Sequence, residues 1–254
     1  MGRSARNLLV IFIACVGAAA ICWWQVEPAQ APKKTNKVQA EHYQDFWLWP
    51  GNSIPTNIPR INNLYILQGE FLGKGSQNNL RLTGILPSRI TAKKIWLVFR
   101  VEQALWSDAI TGAIIHRIKM WEYQGNTVAG IQIDFDARST ALADYGNFLQ
   151  LVRQELPAHY QLSVTGLLDW STGAYRSGLA NISQTVDEVI FQTYQGRSTI
   201  PDFASYLQPI STLKQPFKIG LIEGGLWQPQ LPQVKALHHN PYFLGFVVFL
   251  NNRD

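Results

Sequence analysis

Two aspartates near the middle of the chain could act together in acid–base chemistry. In residues 130–136, apolar side chains alternate with Gln132, Asp134 and Asp136, which is the period of a β-strand. Two acids at that spacing have Cα atoms about 6.6 Å apart, close enough for each carboxylate to perturb the other's pKa. One could then be held protonated as a general acid. Alternatively, both carboxylates cap the helix that the next residues predict.

Polar and aromatic side chains also end the other strand-like segments. In chain order they are Trp47, Trp49, Glu70, Arg100, Glu102, Asp169, Trp170, Gln192, Tyr194, Glu223 and Trp227. The C-terminal ends of parallel strands in an α/β barrel meet at one mouth, so we expect these side chains to converge there. Carboxylates beside indole rings are typical of carbohydrate sites, and glycoside cleavage needs an acid and a group that stabilises an oxocarbenium ion.

These residues receive separate roles in the predicted site. Asp136 is the predicted general acid, with Asp134 as its partner. Glu223 is the candidate second carboxylate, and Tyr194 a group that holds substrate or stabilises charge. The predicted substrate-binding residues are Trp47, Trp49, Glu70, Arg100, Gln192, Asp169, Trp170 and Trp227.

Each of these roles has a structural alternative. Arg100 could form an ion pair with the two aspartates, and Glu223 could be solvated at the turn that Gly224 predicts. A single tryptophan can simply be buried, and a tyrosine at a strand end can pack with its hydroxyl in water.

Eight strand-like segments set the expected fold. They are residues 44–49, 64–71, 95–101, 128–136, 160–167, 187–194, 217–223 and 242–250, with a small extra strand at 80–83. Helical spacing separates most of them after residue 104 but not before it. The pattern predicts a compact α/β fold, a (β/α)8 TIM-like barrel with its first two helices reduced or missing. An open doubly wound sheet is the alternative, although no glycine-rich phosphate loop follows the first strand.

Composition and motifs exclude several function classes. Of the net charge of +5, +4 lies in residues 1–40, so the remainder carries no basic surface for nucleic acid. The five histidines lack metal-ligand spacing, and we expect neither a metal nor another cofactor. Both cysteines, Cys15 and Cys22, lie near the N-terminus, and no Gly-x-Ser-x-Gly motif is present, so the common nucleophilic triads are not supported.

The N-terminal residues resemble a targeting segment. Arg3 and Arg6 precede an apolar stretch that ends at Trp24, which predicts a signal peptide or membrane anchor over residues 1–26, with an anchor favoured. Residues 27–40 then form a predicted flexible linker to a barrel domain at 41–254. We therefore expect the domain to lie outside the cytoplasm, anchored to the cell membrane, or secreted or periplasmic if the segment is cleaved.

Two family resemblances agree with this fold. Residues 130–136 resemble the fourth-strand motif Asp-Gly-x-Asp-x-Asp-x-Glu of chitinase-type (family-18) glycoside hydrolases, which implies that Asp136 is the catalytic acid. Gln132 stands where that family has its first inward aspartate, and residues 191–194 resemble its Met-x-Tyr motif, whose tyrosine binds an acetamido group. More of the chain, including residues 46–49, 64–70, 186–196 and 219–223, resembles the bacterial domain of unknown function 3142, a glycosidase-like barrel.

These observations lead to two hypotheses. The first is a glycoside hydrolase-like protein that acts on an envelope or environmental polysaccharide by carboxylate acid catalysis. The second is a non-catalytic carbohydrate-binding or envelope scaffold protein. Gln132 cannot ionise and Asp136 is one methylene shorter than Glu, and both departures favour the second hypothesis.

Overall fold

The computed structural model describes residues 36–71, 80–102, 106–135 and 139–251. Its strands are β1 (Asp45–Leu48), β2 (Asn63–Phe71), β3 (Leu80–Leu82), β4 (Lys94–Val101), β5 (Val128–Asp134), β6 (Gln161–Leu167), β7 (Glu188–Gln192), β8 (Tyr194–Gln195), β9 (Ser198–Thr199), β10 (Phe217–Ile222) and β11 (Phe243–Phe249). Its α-helices are α1 (Asp108–Tyr123), α2 (Leu142–Glu155), α3 (Arg176–Ser183), α4 (Phe203–Ile210) and α5 (Pro232–His238).

Eight of the strands close into a parallel barrel. The order around the ring is β1, β2, β4, β5, β6, β7, β10 and β11, and β1 pairs with both β2 and β11. This closure confirms the predicted TIM-like barrel and excludes the open sheet. β3 pairs antiparallel with β2 outside the ring, as the predicted extra strand, and β8 and β9 form a separate hairpin.

In the described residues, the helices expected after the first two barrel strands are missing, as the sequence predicted. Residues 49–62, between β1 and β2, contain no helix, and neither do residues 80–93 before β4. The pattern there lacks helical spacing and contains several prolines and glycines, which disfavour helix interiors.

Two apolar layers follow from the alternation of side chains along each strand. Outward residues pack against the helices in the main core. Inward residues form a smaller cluster inside the barrel, consisting of Trp47, Tyr65, Leu67, Trp96, Val98, Ala129, Ile190 and Val247. Gly220 leaves room for the Trp47 ring, since a Cβ at residue 220 would lie 2.7 Å from indole atom Cζ3.

A buried ion network fills the N-terminal mouth of the barrel. Lys218 Nζ donates to Asp45 Oδ2 at 2.9 Å and to the Tyr65 hydroxyl at 2.8 Å, and lies 3.3 Å from Glu188 Oε2. Tyr65 in turn donates to Glu188 Oε1 at 2.6 Å. Burial alone would lower the pKa of Lys218, but the negative charges of Glu188 and Asp45 outweigh it and raise that pKa.

The residues directly before the predicted boundary at residue 41 contact the barrel. Residues 36–40, which we call the entry segment, were expected to belong to the flexible linker. Val38 is 4% exposed, and its N–H donates to the Gly225 carbonyl at 2.8 Å. The Trp227 N–H donates to the Asn36 carbonyl, so the entry segment is fixed to the turn after β10.

The predicted targeting segment at residues 1–26 lies outside the described residues. Within the part of the chain that the structure does describe, no helix has the length and apolarity needed to cross a membrane.

Candidate functional site

A cleft of about 640 Å³ opens at the C-terminal mouth of the barrel. Its lining, which defines the C-terminal cleft, is Trp49, Arg100, Asp134, Leu167, Leu168, Asp169, Gln192, Tyr194, Gln195, Gly196, Ile200, Tyr206 and Phe249. These residues come from strand ends and from the loops that follow them, where sites form in this fold. Six of the predicted site residues therefore meet in one place.

Asp134, the last residue of β5, is half-buried at the floor of the cleft. Its Oδ1 accepts a hydrogen bond of 2.8 Å from Thr165 Oγ1 on the neighbouring strand. Burial and then the negative charge of Asp134 raise the pKa of the Tyr145 hydroxyl well above its ordinary value. Tyr145 therefore stays protonated, and a neutral hydroxyl lies near the carboxylate.

Three aromatic rings form one side of the cleft, which we call the aromatic wall. The Trp49 ring lies 5.2 Å from that of Phe249, and the Tyr194 ring lies 5.8 Å from the same phenylalanine, both measured between centroids. β11, which carries Phe249, is four strands from β5 in either direction around the ring. Phe249 therefore lies across the ring from Asp134, and all three rings line the same cleft as that carboxylate.

A short hairpin brings Tyr194 into this wall. β8 and β9 pair through Tyr194 and Thr199, and the turn between them contains Gly196 at φ 58°, a conformation that glycine adopts without steric cost. The Gln192 amide donates to the Tyr194 hydroxyl at 3.5 Å. The end of β7 and the hairpin thus present an amide and a phenol side by side, a pair suited to sugar hydroxyl groups.

Arg100 lies at the rim of the cleft between two acidic neighbours. In the strand register it is aligned with Glu70 on β2 and with Asp134 on β5. Glu70 forms an ion pair with Arg81 instead. Among the described residues no carboxylate is paired with Arg100, so the expected ion pair between Arg100 and Asp134 is not formed.

Gln132 lies in the barrel interior below the cleft, where both ends of its amide form hydrogen bonds. Its Oε1 accepts from Trp47 Nε1 at 2.6 Å, and its Nε2 donates to Ser163 Oγ at 2.9 Å. An amide can serve both partners because it carries a donor and an acceptor, whereas a carboxylate only accepts. This explains in physical terms why the position that resembles an inward aspartate of the chitinase-type motif is occupied by Gln132.

Five predicted site residues lie elsewhere. Trp47 and Trp170 are fully buried, and Trp227 is 4% exposed between Phe203 and Phe246, so none of these indole rings lines the cleft. Glu70 is held by Arg81 at the edge of the barrel. Glu223 Oε2 accepts from the Asn251 N–H at 3.0 Å and does not line the cleft. The predicted acid, Asp136, lies outside the described residues.

Several cleft residues were not predicted from the sequence. Phe249 and Tyr206 were assigned to a strand and to a helix face, and Thr165 was not singled out within its strand. The available signal was the alternation in residues 242–250, which places Phe249 on the inward face together with Val247. Tyr206 carried no such signal, because its helical spacing is that of a core residue.

The eight parallel strands form a TIM-like barrel with a cleft at its C-terminal mouth. Residues 94–200 match the family model described as "Domain of unknown function (DUF3142)", which confirms the resemblance to that family over this part of the chain. A comparison with curated proteins gave no match.

Two solved structures of inhibitor proteins show the same fold at low identity. The xylanase and alpha-amylase inhibitor protein XAIP-II from Scadoxus multiflorus has 13% identity and a TM-score of 0.51, covering 81% of this chain and 92% of that one. A related form, XAIP-III, has 11% identity and a TM-score of 0.51, covering 84% and 94%. The Bacillus cereus spore cortex-lytic enzyme SleL matches with 19% identity, a TM-score of 0.43, and coverage of 70% of this chain and 50% of that chain. The match therefore spans half the length of that SleL chain.

Proposed function

We propose that the C-terminal cleft binds a glycan and hydrolyses a glycosidic bond by carboxylate acid catalysis. The observation that carries this proposal is the aromatic wall of Trp49, Tyr194 and Phe249, which lines the same cleft as Asp134. Pyranose rings have flat C–H faces that pack on aromatic rings, while amides and carboxylates bind the hydroxyl groups. The volume of about 640 Å³ falls within the range of small-molecule sites.

The proposed catalytic roles combine the structure with the sequence motif. Asp136 is the proposed general acid on the basis of its motif position, two residues beyond Asp134. Asp134, oriented by Thr165, would hold the charge next to it. Glu223 does not line the cleft, and its Oε2 accepts from the Asn251 N–H, so we leave it out of the proposed mechanism. A second carboxylate would therefore come from Asp169, which lines the cleft, or the nucleophile would be the substrate's own acetamido group.

Hydrolysis of a glycan panel by the full-length protein tests the proposal. Asp136→Asn and Asp134→Asn should each lower turnover by at least about a hundredfold, as expected when general acid catalysis is lost. Glu155→Gln is the matched control, because Glu155 is an exposed carboxylate at the end of α2. Turnover that persists unchanged in Asp136→Asn would remove Asp136 from the mechanism.

A non-catalytic glycan-binding or scaffold function is the second candidate. The hydrogen bonds of Gln132 with Trp47 and Ser163 favour this second candidate. An amide with a structural role stands where the chitinase-type motif has an inward aspartate. XAIP-II and XAIP-III are inhibitor proteins, so this fold also occurs in proteins that inhibit enzymes. Glycan binding without turnover, equal in the wild type and Asp136→Asn, would establish this candidate over the first.

We also propose that residues 1–26 hold the domain at the outer side of the cytoplasmic membrane, close to envelope polysaccharide. The support is the apolar stretch after Arg3 and Arg6 and the lack of cysteine after Cys22. Protease treatment of intact spheroplasts should digest the domain, while a cytoplasmic marker protein remains intact.

A further inference from the structure

Resting on the proposed glycan cleft, we infer that its ligand carries a carboxylate group, which binds Arg100 at the β4 side of the mouth. Arg100 is exposed and lines the cleft, and it is the only basic residue among the described residues that do so. A guanidinium group presents its N–H donors in a planar fork that matches the two oxygens of a carboxylate.

The two acids aligned with Arg100 leave it available for a ligand. Glu70 is paired with Arg81 on β3, and Asp134 accepts from Thr165 on β6. The sequence alone suggested that Arg100 forms an ion pair with Asp134 and Asp136. Because Glu70 pairs with Arg81, the Arg100 guanidinium forms no ion pair with a carboxylate among the described residues. It lines the cleft, where a bound sugar can reach it.

Two carboxylates among the described cleft residues restrict the ligand further. Asp134 and Asp169 line the cleft beside Arg100, so a chain with an acidic group on every sugar would bring carboxylates close to them, and like charges repel. A ligand with one acidic group next to Arg100 and neutral sugars along the aromatic wall can pair with the guanidinium and avoid repulsion by the two aspartates. The ligand class is therefore a glycan in which acidic and neutral units alternate.

Two matched pairs of oligosaccharides test this inference with the full-length protein. The first pair is a hyaluronan hexasaccharide and its carboxyl-reduced form. The second is a peptide-free glycan strand of alternating N-acetylglucosamine and N-acetylmuramic acid, compared with the chitin oligosaccharide that has the same backbone. Oligogalacturonate is the fully acidic probe. Affinity is measured by calorimetry at two salt concentrations.

The acidic member of at least one pair should bind about tenfold to a hundredfold more tightly than its neutral partner, because a charge-assisted hydrogen bond is gained. Arg100→Gln should abolish that difference, and Arg100→Lys should retain part of it. Lys94→Gln should leave binding unchanged, since Lys94 is an exposed cation at the opposite end of the same strand. Oligogalacturonate should bind more weakly than the alternating probes.

The possible failures are distinguishable. Equal affinity for both members of each pair, or an acidic preference that survives in Arg100→Gln, would overturn the carboxylate assignment and leave the glycan cleft standing. An equally tight oligogalacturonate complex would overturn the alternation. Absence of binding by every probe, acidic and neutral, would overturn the proposed function and this inference together.

Discussion

Replacing Lys218 by methionine should destabilise the barrel more than any surface substitution. Methionine keeps most of the side-chain length but removes the cation that joins Asp45, Glu188 and the Tyr65 hydroxyl. Breaking a buried ion pair by removing one partner typically costs about 3–5 kcal/mol, because the other charge stays buried without compensation.

The structure places the expected loss at the lower end of that range. Asp45 keeps three contacts of 3.0 Å, from the N–H of Asn63 to Oδ1 and from the Asn63 amide to both carboxylate oxygens. Among the described residues, Glu188 keeps only the hydrogen bond from Tyr65. We therefore expect Lys218→Met to lower the free energy of unfolding by about 3 kcal/mol, mostly through Glu188.

Urea unfolding followed by tryptophan fluorescence measures this loss. Adding Glu188→Gln to Lys218→Met should recover part of it, with a coupling free energy of about 1–3 kcal/mol in the double-mutant cycle. Lys94→Met is the control, since Lys94 is exposed at the same mouth, and it should change stability by less than about 0.5 kcal/mol. A Lys218→Met protein as stable as the wild type, or a cycle without coupling, would refute the reasoning.

Three further predictions address the barrel interior, alkaline stability and the aromatic wall. Gly220→Ala should cost about 1–3 kcal/mol in urea unfolding, because its Cβ would lie 2.7 Å from the Trp47 ring; Gly112→Ala, with nothing within 4 Å in a helix, should instead stabilise the protein. Burial raises the pKa of Tyr43 from 10.0 to about 12, so the unfolded chain ionises first and stability falls between those pH values; Tyr43→Phe should flatten this fall, and an unchanged slope would count against it. Trp49→Ala should weaken glycan binding measured by calorimetry about tenfold or more while leaving the unfolding midpoint almost unchanged, and a change confined to stability would assign Trp49 to packing.

The strands were predictable because a closed parallel barrel buries both faces of each strand. Residues 217–222 and 128–133 are continuous buried segments, and the loops between strands interrupt them clearly in the sequence. The lack of helices in the described residues before β4 was predictable because the sequence there shows no helical spacing of apolar residues. Fold class and element bounds therefore depended on local patterns that the sequence displays directly.

The depth of a side chain within the barrel could not be predicted in the same way. Trp47 and Trp49 lie on the same face of the chain, yet Trp47 fills the interior and Trp49 lines the cleft. The difference depends on strand tilt and stagger, which are properties of the closed ring. Trp170 and Trp227 follow their strands in loops whose direction is set by tertiary packing, so their burial in the outer core had no local signal.

The position of the entry segment affects how long polymers can reach the cleft when the protein is immobilised. Residue 36 is fixed to the turn after β10, which lies at the same end of the barrel as the cleft, whereas Glu155 ends α2 at the far end. If the domain is attached to a sensor chip through residue 36, the cleft faces the chip surface. Long glycan chains are then excluded from the cleft, whereas short oligosaccharides can still bind. Immobilisation through Glu155 would reverse that bias, so the choice of tether would decide the apparent size preference.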